Sequence, residues 1–231
     1  MKKTLTVLAV MAIAASAYAE ISTNVLGSWA FQQGGTSTKP DDYKVDGVTA
    51  VSFSPLSRIN GLTTNGTSAG TFNSAGWTKT NETTGAQAGI ELTVTISQGF
   101  QVANAGLHAE GVNGTGTGPK YLQWQLGGND IGSVWEVSTT KTPKDLDIDK
   151  EVGTMTAGAY TFTEVASKNG GEELVNINGA TLPSTGPSRM TGLEFRGDAS
   201  AVPTPQVPEP ATMSLLGLGA LAMALRRKLR K

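Results

Sequence analysis

The amino-acid sequence predicts an all-β body, an antiparallel β-sandwich of jelly-roll type, flanked by a signal peptide and a short C-terminal hydrophobic helix. Three observations lead there. Apolar and polar residues alternate with a period of two over several short runs; Gly, Asn, Pro and Ser clusters separate those runs; and apolar stretches suited to a helix occur only at the two ends. Strands of this kind each bury one face, and two sheets of them close a core between them.

Residues 1–19 read as a secretory signal peptide. Lys2 and Lys3 supply the positive start, an apolar run follows, and Ala17 and Ala19 place small side chains where a signal peptidase reads them. Cleavage is expected between Ala19 and Glu20. The body then occupies residues 20–200. Its clearest strand is 90–97, where Ile90, Leu92, Val94 and Ile96 take one face and Glu91, Thr93, Thr95 and Ser97 the other. Segments 121–126, 133–138, 159–165, 174–178 and 192–196 read the same way, with 25–32 and 45–53 as strands nearer the start. Residues 60–89, rich in Gly, Thr, Ser and Ala, read as a long loop or weak strands. Asn-Gly pairs at 60–61, 65–66 and 113–114 supply turns, because both residue types tolerate positive φ.

From 201 the composition changes. Pro203, Pro205, Pro208 and Pro210 fall within ten residues, so 201–206 is read as a stiff, extended linker. The apolar run 213–225 would span roughly 20 Å as a helix, against about 30 Å of bilayer hydrocarbon. It is short for a permanent span. Arg226, Arg227, Lys228, Arg230 and Lys231 follow it and would stay on the cytoplasmic side during export.

Val207-Pro208-Glu209-Pro210, the apolar run and the basic cluster together resemble the PEP-CTERM sorting signal of Gram-negative bacteria, over residues 207–231. The resemblance implies that an exosortase in the inner membrane recognises Pro208, Glu209 and Pro210 and processes the chain beside them. It also implies transient anchoring of the transmembrane helix in the inner membrane. The product is expected at the cell surface or in the extracellular matrix of a bacterium that makes exopolysaccharide.

Charge narrows the partners of the body. Seven of the 18 basic residues lie in the two terminal segments, so residues 20–210 carry all 19 acidic side chains against eleven basic ones, a net of −8. A phosphate backbone would be repelled, and no nucleic-acid partner is expected. The chain has no cysteine, so burial and hydrogen bonding, not disulfides, must hold the body.

Three features invite a sharper function. Asp145, Asp147, Asp149 and Glu151 stand at alternate positions, which in an extended strand puts all four carboxylates on one face with Leu146 and Ile148 turned inward. Calcium is the cation such oxygens would take, and an ordinary solvated edge strand is the alternative; no other cofactor is expected. Aromatic rings could stack on sugars, with Tyr121 and loop-borne Trp77 as the candidates. Periodicity places Trp124 and Trp135 in the core. His108, the single histidine, is turned outward beside Glu110, and no nucleophile motif accompanies it. The expected role is therefore structural or interactive and linked to exopolysaccharide, not enzymatic. A lectin-like carbohydrate-binding module is the alternative, and a two-carboxylate glycoside hydrolase stands behind both.

Overall fold

The computed structural model of the protein describes residues 21–32, 35–66, 70–77, 86–112, 117–168, 174–175, 179, 181, 187–203 and 218. The chain divides into two units, Met1–Ala201 and Val202–Lys231. The expected signal peptide, half of the linker, the sorting motif and all of the membrane segment but Leu218 lie outside the described residues. Among those described, no helix is long and apolar enough to cross a membrane.

The first unit is built from β1 (Val25–Ser28), β2 (Ala30–Phe31), β3 (Ser37–Thr38), β4 (Tyr43–Val45), β5 (Val48–Phe53), β6 (Ser57–Ile59), β7 (Thr63–Thr64), β8 (Phe72–Ala75), β9 (Gly89–Ile96) and β10 (Phe100–Val112). It continues with β11 (Tyr121–Leu126), β12 (Asn129–Glu136), β13 (Thr142–Asp147), the single helical turn α1 (Ile148–Val152), β14 (Gly158–Ala166) and β15 (Ser188–Ala201). One antiparallel sheet runs β13-β10-β15-β8-β7, with β1 also on β15. The other runs β12-β11-β14-β9-β5-β4, with β6 also on β9. Side chains from both sheets meet in one core: Phe53 of β5 packs edge-on against Phe195 of β15, ring centres 6.0 Å apart, and Trp29 closes on Phe53 at 5.5 Å. This is the antiparallel sandwich that the alternation predicts.

The expected strands survive with instructive changes. β9 buries Ile90, Leu92, Val94 and Ile96, as its period of two requires. The segment 45–53 is a hairpin, because Asp46 (φ 51°) and Gly47 (φ 81°) both adopt left-handed backbone and reverse the chain between β4 and β5. The segment 25–32 breaks at Trp29, whose indole is buried and donates to the Ser54 carbonyl at 2.9 Å. Of 174–178, Leu174 and Val175 are described, and Val175 bridges to Thr181.

The element that the sequence conceals is β10, thirteen residues long and paired on both sides, with β13 and β15. Its alternation is interrupted where Asn104 takes φ 49° and the register with β15 shifts between Ala103 and Gly106, a bulge that displaces the inward face. Several of its inward residues are small. At Gly111 a Cβ would stand 2.7 Å from the ring of Trp135, so the indole of β12 occupies the volume a side chain would need.

Candidate functional site

An open groove of about 380 Å³ lies where the edge of β12 faces β13 and α1, lined by Gly132, Ser133, Asp145, Leu146, Asp147, Lys150 and Glu151. Leu146 and Ile148 are turned inward as expected, 2% and 0% exposed. The four carboxylates, however, do not share one strand face. The extended backbone stops at Asp147, and α1 turns the rest of the segment. Asp147 is the N-cap of that turn, its Oδ1 accepting from Lys150 N at 3.0 Å. Glu151 Oε1 accepts from the Gly132 amide at 3.2 Å, and Lys144 Nζ donates to Ser133 Oγ at 2.6 Å. These bonds bridge the edges of the two sheets. Asp145 is directed elsewhere, to His108 Nδ1 at 2.7 Å and to Arg196 Nη1 at 3.8 Å. Only Asp149 retains a buried oxygen, Oδ1, without a hydrogen-bond partner. Among the described residues no three His, Asp or Glu side chains are grouped to hold a metal ion.

The aromatic candidates separate in the same way. Trp77, expected on an exposed loop, is 1% exposed, and its indole N–H donates to the Ser74 carbonyl at 3.1 Å; it follows closely on β8, whose Phe72 and Ala75 are buried too, which corrects that expectation. Trp124 and Trp135 are core residues as their periodicity requires. Tyr121 stays half-buried at the start of β11, beside Lys120, whose ammonium lies 5.1 Å from the ring centre and pairs with Glu136 at 3.3 Å. Gln123, on the same outward face by alternation, is buried and donates its amide to the Ile131 carbonyl at 2.7 Å. Tyr121 and Trp77 thus form no common platform.

His108 points outward from β10, between Asp145 of β13 and Glu194 of β15, its register partners on either side. Arg196 completes the cluster, bonded to Glu194 at 2.6 Å. A second carboxyl of unusual environment is Glu164, on the inward face of β14. It is 2% exposed, its Oε1 has no hydrogen-bond partner, and burial raises its pKa to about 8. The space beside it, lined by Ile90, Gly111, Leu122, Trp135, Ser188, Arg189 and Met190, leaves no room for a water molecule. Desolvation alone accounts for the shift. A hydrolytic pair needs a second carboxyl across a substrate-wide gap, and this packed position offers no such gap.

One constellation was invisible in the sequence because its members are up to 176 residues apart. Asp198 of β15 accepts from Ser22 Oγ at 2.8 Å and Asn24 Nδ2 at 2.7 Å through Oδ1, and from Asn104 Nδ2 at 2.9 Å through Oδ2. These bonds, led by those from Asn104 and Ser22, hold its carboxyl below the usual range. Ser22 N also donates to Asn104 O at 3.2 Å, and Gly197 N to Asn24 O at 3.0 Å. The clamp fastens the beginning of the body to its last strand.

A comparison with curated proteins finds no match. Among solved structures the chain is similar to the CBM22-1 xylan-binding domain of Paenibacillus barcinonensis Xyn10C, at 9% identity and a TM-score of 0.38, over 77% of this chain and 96% of that one. It is also similar to the carbohydrate-binding module CBM6cm-2 of Cellvibrio mixtus lichenase 5A in complex with cellotriose, at 13% identity and a TM-score of 0.28, over 74% and 97%. Likenesses this distant assign no ligand. The specific match is at the C-terminus: residues 206–228 fit the family model of the PEP-CTERM protein-sorting motif, and the chain therefore carries a sorting signal that implies export and membrane-associated processing.

Proposed function

We propose that the protein is a cell-surface or extracellular-matrix component of a Gram-negative bacterium, exported after signal-peptidase cleavage, processed by an exosortase beside Pro208-Glu209-Pro210, and structural or interactive in role, in contact with exopolysaccharide. The observation that carries this reading is the PEP-CTERM motif over residues 206–228. The body supports it by what it displays. The outer face of the second sheet is a field of hydroxyls, amides and acids: Ser57, Glu91, Thr163, Gln125 and Asp130 line up across five strands, and Thr93 meets Thr161 at 3.2 Å beside them. All four tryptophans are buried. Contact with a hydrated polymer would then run through hydrogen bonds spread over a sheet face and not through stacked rings.

Intact-mass analysis of the exported protein from its host tests this. The expected product begins at Glu20 and lacks the basic tail. A product that retains Lys231 would contradict processing by an exosortase, and a strain without the enzyme should accumulate the longer form.

A further inference from the structure

Arg58 is a cation at a position where a strand of this sandwich would carry an apolar side chain. In β6 it stands opposite Ile90 of β9, which is 1% exposed, so Arg58 projects from the inward face of the second sheet. Its guanidinium crosses to the first sheet. Nε donates to Ser74 Oγ at 3.0 Å, Nη2 donates to the Asn73 carbonyl at 2.8 Å, and the group lies 3.8 Å above the centre of the Phe72 ring. The crossing spans the rim of β6, β7 and β8, opposite the rim where β12 faces β13.

This charge is uncompensated. Among the described residues no carboxylate pairs with Arg58 and no acceptor bonds its Nη1, and burial alone lowers its pKa, to about 10. A charge withdrawn from water ordinarily has a counter-ion, because desolvation of a bare ion is costly. Arg58 is half-buried and not sealed. The turn between β2 and β3 meets it with backbone alone: at Gly35, φ 70°, a Cβ would stand 2.9 Å from the Thr64 methyl and 3.0 Å from Nη2. Asn73, whose carbonyl holds the guanidinium, is 3% exposed and leaves its own Oδ1 without a partner. The rim therefore combines a planar donor fork that lacks an anion with an amide oxygen that lacks a donor.

A guanidinium fork selects an oxyanion, and a carboxylate matches it edge to edge. An amide oxygen accepts from a hydroxyl. A sugar acid carries both groups. We propose that the rim at Gly35, Arg58 and Asn73 binds the carboxylate of a uronic acid residue in the surrounding polysaccharide, with a sugar hydroxyl donating to Asn73 Oδ1. The inference rests on the exopolysaccharide contact proposed above and names the chemical class of the polymer. The net −8 over residues 20–210 repels a polyanion as a whole. Binding is consequently local to a single sugar acid, and a short oligomer suffices for it.

Isothermal titration of the exported protein with tri-galacturonate tests this. Its methyl ester, which keeps the hydroxyls and masks the charge, and sodium acetate, a carboxylate without a sugar, are titrated beside it. Both should bind at least roughly tenfold more weakly than the acid. Arg58→Lys, which keeps the charge and loses the fork, should weaken the acid by a similar factor, with near-UV circular dichroism confirming that the variant is folded. In the parent protein the Nε–H resonance of Arg58 should shift on titration while those of Arg189 and Arg196 stay in place. No binding of the acid, equal binding of the ester or of acetate, or a stationary Arg58 resonance would overturn the site. Pull-down on the host's own exopolysaccharide separates the two readings. Retention that Arg58→Lys leaves unchanged would overturn this inference alone, whereas no retention of a protein that still binds tri-galacturonate through Arg58 would overturn the exopolysaccharide contact and leave the site standing.

Discussion

At the scale of single residues, two carboxyls set the expected response to pH, and they act in opposite directions. Glu164 loses its proton near pH 4.5 when unfolded and near pH 8 when buried, so between those values the folded state holds one more proton than the unfolded state. Stability from this group therefore falls as pH rises through that window and is flat above it. Glu164→Gln, which cannot ionise, should be more stable than the parent at pH 8 by a few kcal/mol, with the advantage shrinking toward pH 5. Melting curves followed by tryptophan fluorescence across that range test this, and parallel curves for the two proteins would refute it. Asp198 is the reverse case. Its folded pKa lies below the usual value, so its contribution is complete above about pH 4 and is lost as the pH falls through the lowered folded value. Because the site is part-exposed, Asp198→Ala should cost only about 1–2 kcal/mol at neutral pH. Hydrogen exchange at Ser22, Asn24 and Gly197 should rise with it; unchanged protection there would show that the clamp does not hold the N-terminal segment.

At the scale of elements, legibility followed the regularity of the side chains. β9 and β14 could be read because Ile90, Leu92, Val94 and Ile96, and likewise Phe162, Glu164 and Ala166, keep one face inward without interruption. β10 could not, because a bulge at Asn104 changes its phase and because Ala105, Ala109 and Gly111 are too small to register as a hydrophobic face. At Gly111 the missing side chain answers to the bulk of Trp135 on β12. Gly111→Ala should cost about 1–3 kcal/mol by forcing that ring aside, measured as a fall in the urea midpoint with an unchanged slope. The acidic run 145–151 failed for a different reason. Alternation describes a strand that continues, whereas Asp147 satisfies the Lys150 amide and begins a helical turn. The carboxylates expected on one face are consequently divided among a cap at Asp147, a bridge between sheets at Glu151, a surface pair at Asp145 and an unpartnered buried oxygen at Asp149.

At the scale of the molecule, the sandwich is complete at Ala201, where β15 ends. A chain ending at Pro203 should fold with the same melting temperature as the full-length body, yet fail to undergo exosortase-dependent processing; a marked fall in melting temperature would show that the tail contributes to the fold. The sequence by itself determined the C-terminal sorting signal and the class of fold. Sorting signals are read in order along an extended chain, and a period of two is a local property of the backbone, so both can be recognised without knowing what lies nearby in space. Only the tertiary structure decided which side chains meet: that Trp29 and Trp77 are inside as well, that β10 lies between β13 and β15, and that the first and last segments of the body are fastened at Asp198. Those facts depend on pairing between residues as many as 176 positions apart, and side-chain chemistry at one position carries no record of a partner that chain folding brings to it.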